Sequence, residues 1–110
     1  MDEPLRPEPS PAAALADVDR RIHEPARLAI TTILNTLESA DFLFLLRETG
    51  LSKGNLSSHL ARLEQARYIS IEKTFRGKLP LTVCRLTLVG RQAYRAYREQ
   101  LKRVVEHMPE

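Results

Sequence analysis

One cysteine, Cys84, stands in the whole chain. A lone thiol closes no internal disulfide and builds no C-x-x-C redox or zinc arrangement, so an oxidising compartment is not called for and a cytoplasmic home is expected. Cys84 falls at a strand position, where a small buried residue is the simplest reading and a redox switch the rarer one. Tryptophan is missing, and Phe and Tyr number three each. The core must then come from Leu, Ile, Val and Ala, which suits packed helices with a little sheet. No apolar run approaches the roughly 20 residues that span a bilayer. The chain opens acidic, without the basic patch and apolar stretch of a secretory signal. His23, His59 and His107 lie far apart, and no His/Cys/Asp group has zinc-ligand spacing, so no metal or cofactor is expected. A nucleophile elbow, a phosphate loop and paired carboxylates are likewise missing, and Ser57-Ser58-His59 on one helix makes no triad. The composition speaks against an enzyme.

What is present is a 43% hydrophobic chain of 110 residues, enough for one modest core. Its charge is unevenly placed. Residues 1–19 hold five acids against Arg6 alone, which leaves 16 Lys and Arg against 9 Asp and Glu in the rest, a net of +7. Such a bias favours polyanionic partners. Pro4, Pro7, Pro9 and Pro11 among these charges, with a short alanine run, mark residues 1–19 as a flexible acidic arm, and residues 20–110 as the domain.

Within the domain, Glu24-Pro25 opens a helix whose apolar face is Ile22, Ala26, Ile30, Ile33, Leu34 and Leu37. Leu28 points nearly opposite, either exposed without consequence or in contact with another chain. Asp41 caps a helix through Phe42–Arg47 that is apolar on most sides and therefore expected to be wedged between its neighbours. Gly50 ends it. Ser52 caps the next, running to about Arg67 with Leu56, Leu60 and Leu63 inward, and the turn between the two has helix-turn-helix length. Ile69 and Ile71, then Leu81, Val83 and Arg85, alternate as two antiparallel strands around a Gly77-Lys78-Leu79-Pro80 turn, with residues 75–80 as the tip of the wing. Thr87 caps a last long helix in which Tyr94, Tyr97, Leu101, Val104 and Met108 repeat as a heptad seam. The fold expected is mainly α with a small β-hairpin (α+β), a winged helix-turn-helix with a long C-terminal dimerisation helix.

The stretch Gly50-Leu51-Ser52-Lys53-Gly54-Asn55-Leu56-Ser57-Ser58-His59-Leu60, with Leu63-Glu64 and Tyr68, resembles winged-helix bacterial and archaeal transcriptional regulators. The segments from Ile22 to Ile30 and from Glu72 to Gly77 add to it. The group is one of short one-domain proteins similar to the MarR and ArsR regulators, matched here over roughly Arg20 to Leu101. The resemblance implies a dimeric DNA-binding regulator, with the helix after Ser52 in the major groove, the wing near the minor groove and the terminal helices forming the dimer. There are two departures from it: glycine is frequent in the family where Arg67 stands, and acidic residues where Leu88 and Val89 open the last helix.

The residues themselves suit that chemistry. With the leucine stripe inward, Gly54, Ser58, Ala61, Arg62 and Gln65 point outward and Asn55 and Ser57 flank them. Gly54 lets the backbone approach a groove, Asn55, Ser57 and Ser58 offer hydrogen bonds, and Arg62 reaches a guanine edge or a phosphate. Lys53 at the helix start suits a phosphate contact. His59, nearer the core stripe, is read as a packing or phosphate-contacting residue. Arg76 and Lys78 flank Gly77 at the wing tip, where a cation meets the minor groove or its phosphates, with Lys73 and Arg85 supporting the same surface. The expected dimer interface is Leu28, Tyr94, Tyr97, Leu101, Val104 and Met108. A two-fold dimer would read a pseudo-palindromic operator on double-stranded DNA. The whole points to a repressor with no membrane association. A winged helix used only for protein assembly is the alternative, and any small-molecule effector would have to sit between helices or at the dimer contact, where no residues single out a pocket.

Overall fold

The computed structural model describes residues 10–110. Among these residues the order is α1 (Pro11–Ala16), α2 (Pro25–Thr36), β1 (Ala40–Asp41), α3 (Phe42–Thr49), α4 (Lys53–Gln65), β2 (Ile69–Arg76), β3 (Leu79–Leu86) and α5 (Leu88–His107). Local chemistry sets the helix starts. The Arg27, Phe44, Asn55 and Gly90 amides donate to Glu24 Oε2 at 2.8 Å, Asp41 Oδ1 at 2.8 Å, Ser52 Oγ at 3.1 Å and Thr87 Oγ1 at 2.9 Å. Such a cap is worth about 1 kcal/mol. Gly50 closes α3 at φ 68°, a left-handed conformation that glycine takes without a Cβ clash, and only Gly50, Leu51 and Ser52 separate α3 from α4.

The sheet is antiparallel in the order β1-β3-β2, with Ile69 opposite Leu86 and Arg76 opposite Leu79. The hairpin turns on Gly77 and Lys78 alone, Gly77 taking φ 62°. Pro80 belongs to β3, paired with Phe75 next to the turn-closing pair, where a missing amide proton breaks no ladder bond. The third strand was not expected. β1 has two residues, Ala40 opposite Cys84 and Asp41 opposite Val83, too few to show an alternation.

One core joins the layers: Ile30 and Leu34 of α2, Leu45 of α3, Leu56, Leu60 and Leu63 of α4, Ile69 and Cys84 of the sheet, and Tyr97 and Val104 of α5. Burying a leucine or isoleucine of this kind contributes about 1.5–3 kcal/mol. The helix-turn-helix pair is therefore held from behind by its own stripe. α3 is less enclosed than its apolar sequence suggested, because only Leu45 is fully buried and Leu43 is 61% exposed.

Two expectations change in the α5 region. Of the arm foreseen over residues 1–19, the first nine lie outside the described residues. The rest forms α1, capped by Ser10 and packed on α5, with Val18 in the core and the Asp19 amide donating to Gln100 Oε1 at 3.2 Å. Alanine and valine supply enough apolar contact to seat this segment once α5 offers a surface. α1 and α2 in turn cover the seam foreseen for another chain. Tyr97 is 2% exposed and shares a 2.8 Å hydrogen bond with His23, Val104 is buried, and Tyr94 meets Thr32 Oγ1 at 3.0 Å. Leu101 and Leu28 are half-buried against the same core, leaving only Met108 of the six exposed.

The start of α5 is welded to the α4–β2 connection. The Thr87 amide donates to Tyr68 O at 3.0 Å and its hydroxyl to Arg67 O at 2.6 Å. A Cβ on Gly90 would lie 1.9 Å from the Tyr68 carbonyl oxygen, so only glycine permits this approach. Arg67 itself turns at φ 64°, a left-handed conformation that strains any residue with a Cβ.

Candidate nucleic-acid interface

With its leucine stripe anchored, α4 presents Lys53, Gly54, Asn55, Ser57, Ser58 and Arg62 to solvent together with Ala61 and Gln65. Their side chains make no hydrogen bond or ion pair within the described residues, so their donors and acceptors are available to a ligand. A Cβ at Gly54 would meet nothing within 4 Å. The protein's own packing does not require glycine there, whereas a backbone approaching from outside gains room.

The position of α4 relative to α2 is fixed by three side chains. Arg27, 8% exposed, directs Nη1 to His59 Nδ1 at 3.1 Å, and the same His59 atom lies 3.6 Å from Glu24 Oε2. His59 is thus an internal tie between the two helices. Burial works to raise the Glu24 pKa, but the Arg27 and Ala26 amides and the His59 and Arg27 charges outweigh it and hold the carboxyl below its usual range.

On the wing, Arg76 and Lys78 are exposed on either side of Gly77 and have no partner among the described residues. Arg85, expected to support the same basic surface, forms an exposed ion pair with Glu72 at 3.2 Å. Phe75 and Leu79 stand beside Arg76 and are 67% and 70% exposed. Both belong to the wing segment 75–80 expected from the sequence, in which only Arg76 and Lys78 were singled out as contacts. Apolar groups at such a tip suit contact with sugar edges or a base step in a minor groove.

A second omission is Arg20-Arg21, just before α2. These two line an open cleft of about 380 Å³ with Arg27, Arg62, Gln65 and Ala66. The adjacent arginines were visible in the sequence, but only the fold brings them beside the end of α4. Among the described residues no group of three or more His, Cys, Asp and Glu is placed to hold a metal, and no helix is long and apolar enough to cross a membrane.

A polar helix backed by a leucine stripe, a three-residue turn before it and a basic hairpin after it define a winged helix-turn-helix. The family described as winged helix DNA-binding domain matches residues 26–105, and the chain belongs to that family. It is 32% identical over 72 residues to an uncharacterised protein of Methanocaldococcus jannaschii, covering 64% of this chain and 77% of the relative. A solved structure of a transcriptional regulator homologue from Pyrococcus horikoshii superimposes with a TM-score of 0.79 at 26% identity, over 84% of this chain and 94% of the other. An ArsR family transcriptional regulator shares the fold at a TM-score of 0.54 and 17% identity, over 87% and 94% of the two chains. The family is a DNA-binding one, in keeping with the non-enzymatic reading and the expected resemblance.

Proposed function

We propose that the protein is a sequence-specific regulator of transcription that binds double-stranded DNA as a dimer, with α4 in the major groove and the wing against the minor groove or its phosphates, and represses by occupying a promoter. The observation that carries this reading is the free polar face of α4, from Lys53 to Arg62, held outward by fully buried Leu56 and Leu63. Arg62 reads a base edge or a phosphate, Asn55, Ser57 and Ser58 hydrogen-bond to base edges or phosphates, Lys53 meets the backbone, and Arg76 and Lys78 hold the flanking strand. The kinship with regulators supports the regulatory role.

Dimerisation is proposed through the C-terminal half of α5. Val105 and Met108 are exposed there, as is Leu15 of α1, which packs on the same helix. The seam residues Tyr97 and Val104 serve the protomer's own core, so they support the dimer by fixing α5.

The test is selection of bound fragments from genomic DNA, with Arg62→Ala and Arg76→Ala run beside the wild type. Enrichment of a pseudo-palindromic site that Arg62→Ala binds about 5- to 100-fold more weakly, the effect of removing a base contact worth roughly 1–3 kcal/mol, supports the reading. A folded wild-type protein that enriches nothing over random DNA overturns it and favours a protein-assembly role.

A further inference from the structure

We infer that the arginine cleft at the α1–α2 junction is a second DNA contact, in which Arg20 and Arg21 hold a backbone phosphate beside the C-terminal end of α4. The inference rests on the DNA-binding reading and extends it to a segment outside the helix-turn-helix and the wing. Arg20 and Arg21 share one open cleft with Arg62 and Gln65, which already belong to the outward face of α4. The cleft is therefore continuous with the proposed interface and carries one sign of charge. The nearby acids are engaged: Glu24 with Arg27 and His59, and Asp19 with the Tyr68 hydroxyl and the Arg21 amide.

The site is also held in shape. The buried Arg27 guanidinium donates through Nε to the Arg21 carbonyl at 2.6 Å and through Nη2 to the Arg20 carbonyl at 3.2 Å. Both arginines are thereby pinned by their backbone while their side chains stay exposed. Arg21 lies over the Tyr68 ring at 5.7 Å and donates to its hydroxyl at 3.2 Å, an arrangement that orients the guanidinium and leaves further donors free. The Arg20 side chain makes no hydrogen bond or ion pair among the described residues. A planar donor fork fixed in place and a neighbouring cation left unpaired match the recognition of a phosphate oxygen pair. The occupant is a duplex phosphate and not a free anion, because the cleft opens along the face on which α4 would meet the groove.

Phosphate contacts are independent of sequence, so the probe is a random-sequence duplex of about two helical turns, titrated at several salt concentrations. Arg20→Ala and the double variant Arg20→Ala/Arg21→Ala are compared with wild type, Arg62→Ala and Arg76→Ala, and thermal melting confirms folding. Arg20→Ala keeps the Tyr68 contact intact and covers the case in which the double variant unfolds. The expected result is a shallower dependence of log K on log salt, by roughly 0.9 for each phosphate no longer neutralised, with melting unchanged in Arg20→Ala. An unchanged slope in both Arg20 variants, while Arg62→Ala or Arg76→Ala flattens it, overturns the inference and leaves the DNA-binding reading standing. If the wild type binds no duplex, both fall. Inorganic phosphate is titrated separately by chemical-shift perturbation. A response that the Arg20 variants lose while their duplex slope is unchanged assigns the cleft to a small anion and also overturns the inference.

Discussion

At the residue scale, Arg67 shows how a sequence departure becomes a physical statement. It holds φ 64° between α4 and β2, and its carbonyl accepts from the Thr87 hydroxyl. A non-glycine residue in this conformation is strained by about 1–2 kcal/mol, partly offset by the greater freedom glycine loses on folding. Arg67→Gly is therefore expected to stabilise by up to about 1 kcal/mol and raise Tm by several degrees. Arg67→Ala should leave Tm near the wild-type value, and a comparable rise in the alanine variant would show that the side chain, and not φ, is responsible. Cys84 makes a second case. It is fully buried, and burial first, then the Glu64 and Asp41 charges, push its thiol from 9.0 up to about 11. The folded value lies above the unfolded one, so its stabilising contribution is present below pH 9 and is lost as pH rises through about 11. The slope of Tm between those pH values should be shallower in Cys84→Ala, with a residual slope from Tyr68 and Tyr97, which burial raises in the same direction. Equal slopes in the two proteins would refute the assignment.

At the scale of elements, α4 and the wing are joined through the core, and in the proposed complex each meets DNA through its own side chains. Lys78→Ala removes a charge at the hairpin tip that supports no internal contact, so Tm should stay within about 1 °C of wild type while duplex affinity falls two- to tenfold at low salt. Melting and a binding titration on one preparation separate the two effects, and unchanged affinity would remove Lys78 from the interface. Elements of this kind were legible because each carries local chemistry: Asp41, Ser52 and Thr87 cap where they stand, and the Leu56, Leu60, Leu63 stripe has a helical period. β1 was not legible, since two residues have no period, and neither was the tightness of the wing, where Pro80 looked like a turn residue yet pairs in β3. The α5 seam was read as an apolar face for another chain, whereas Tyr97 and Val104 are covered within the protomer. A heptad pattern states that a face must be buried and not which surface buries it, and α1 is too short and too alanine-rich to announce itself.

At the scale of the whole molecule, that reassignment changes what a dimer has to do. Tyr97 and Val104 are enclosed within the protomer, so a dimer would not be needed to cover them. The proposed dimer would then bury a smaller surface, drawn from the residues α5 leaves open. Val105→Glu and Met108→Glu should accordingly shift the monomer–dimer equilibrium strongly toward monomer while the melting of the monomer is retained, because neither side chain belongs to the core. Sedimentation over a range of concentrations measures the first effect and thermal melting at high dilution the second. DNA binding reports the consequence: two linked half-site contacts act together, so a monomeric variant should bind an isolated half-site as the wild type does but lose about 100-fold or more on the full palindrome. Loss of folding together with loss of the dimer would show that the two are one event and that the α5 face is obligate. Retention of full palindrome affinity by a demonstrably monomeric variant would mean instead that a single winged helix, with the wing and the arginine cleft on either side of α4, suffices for the operator.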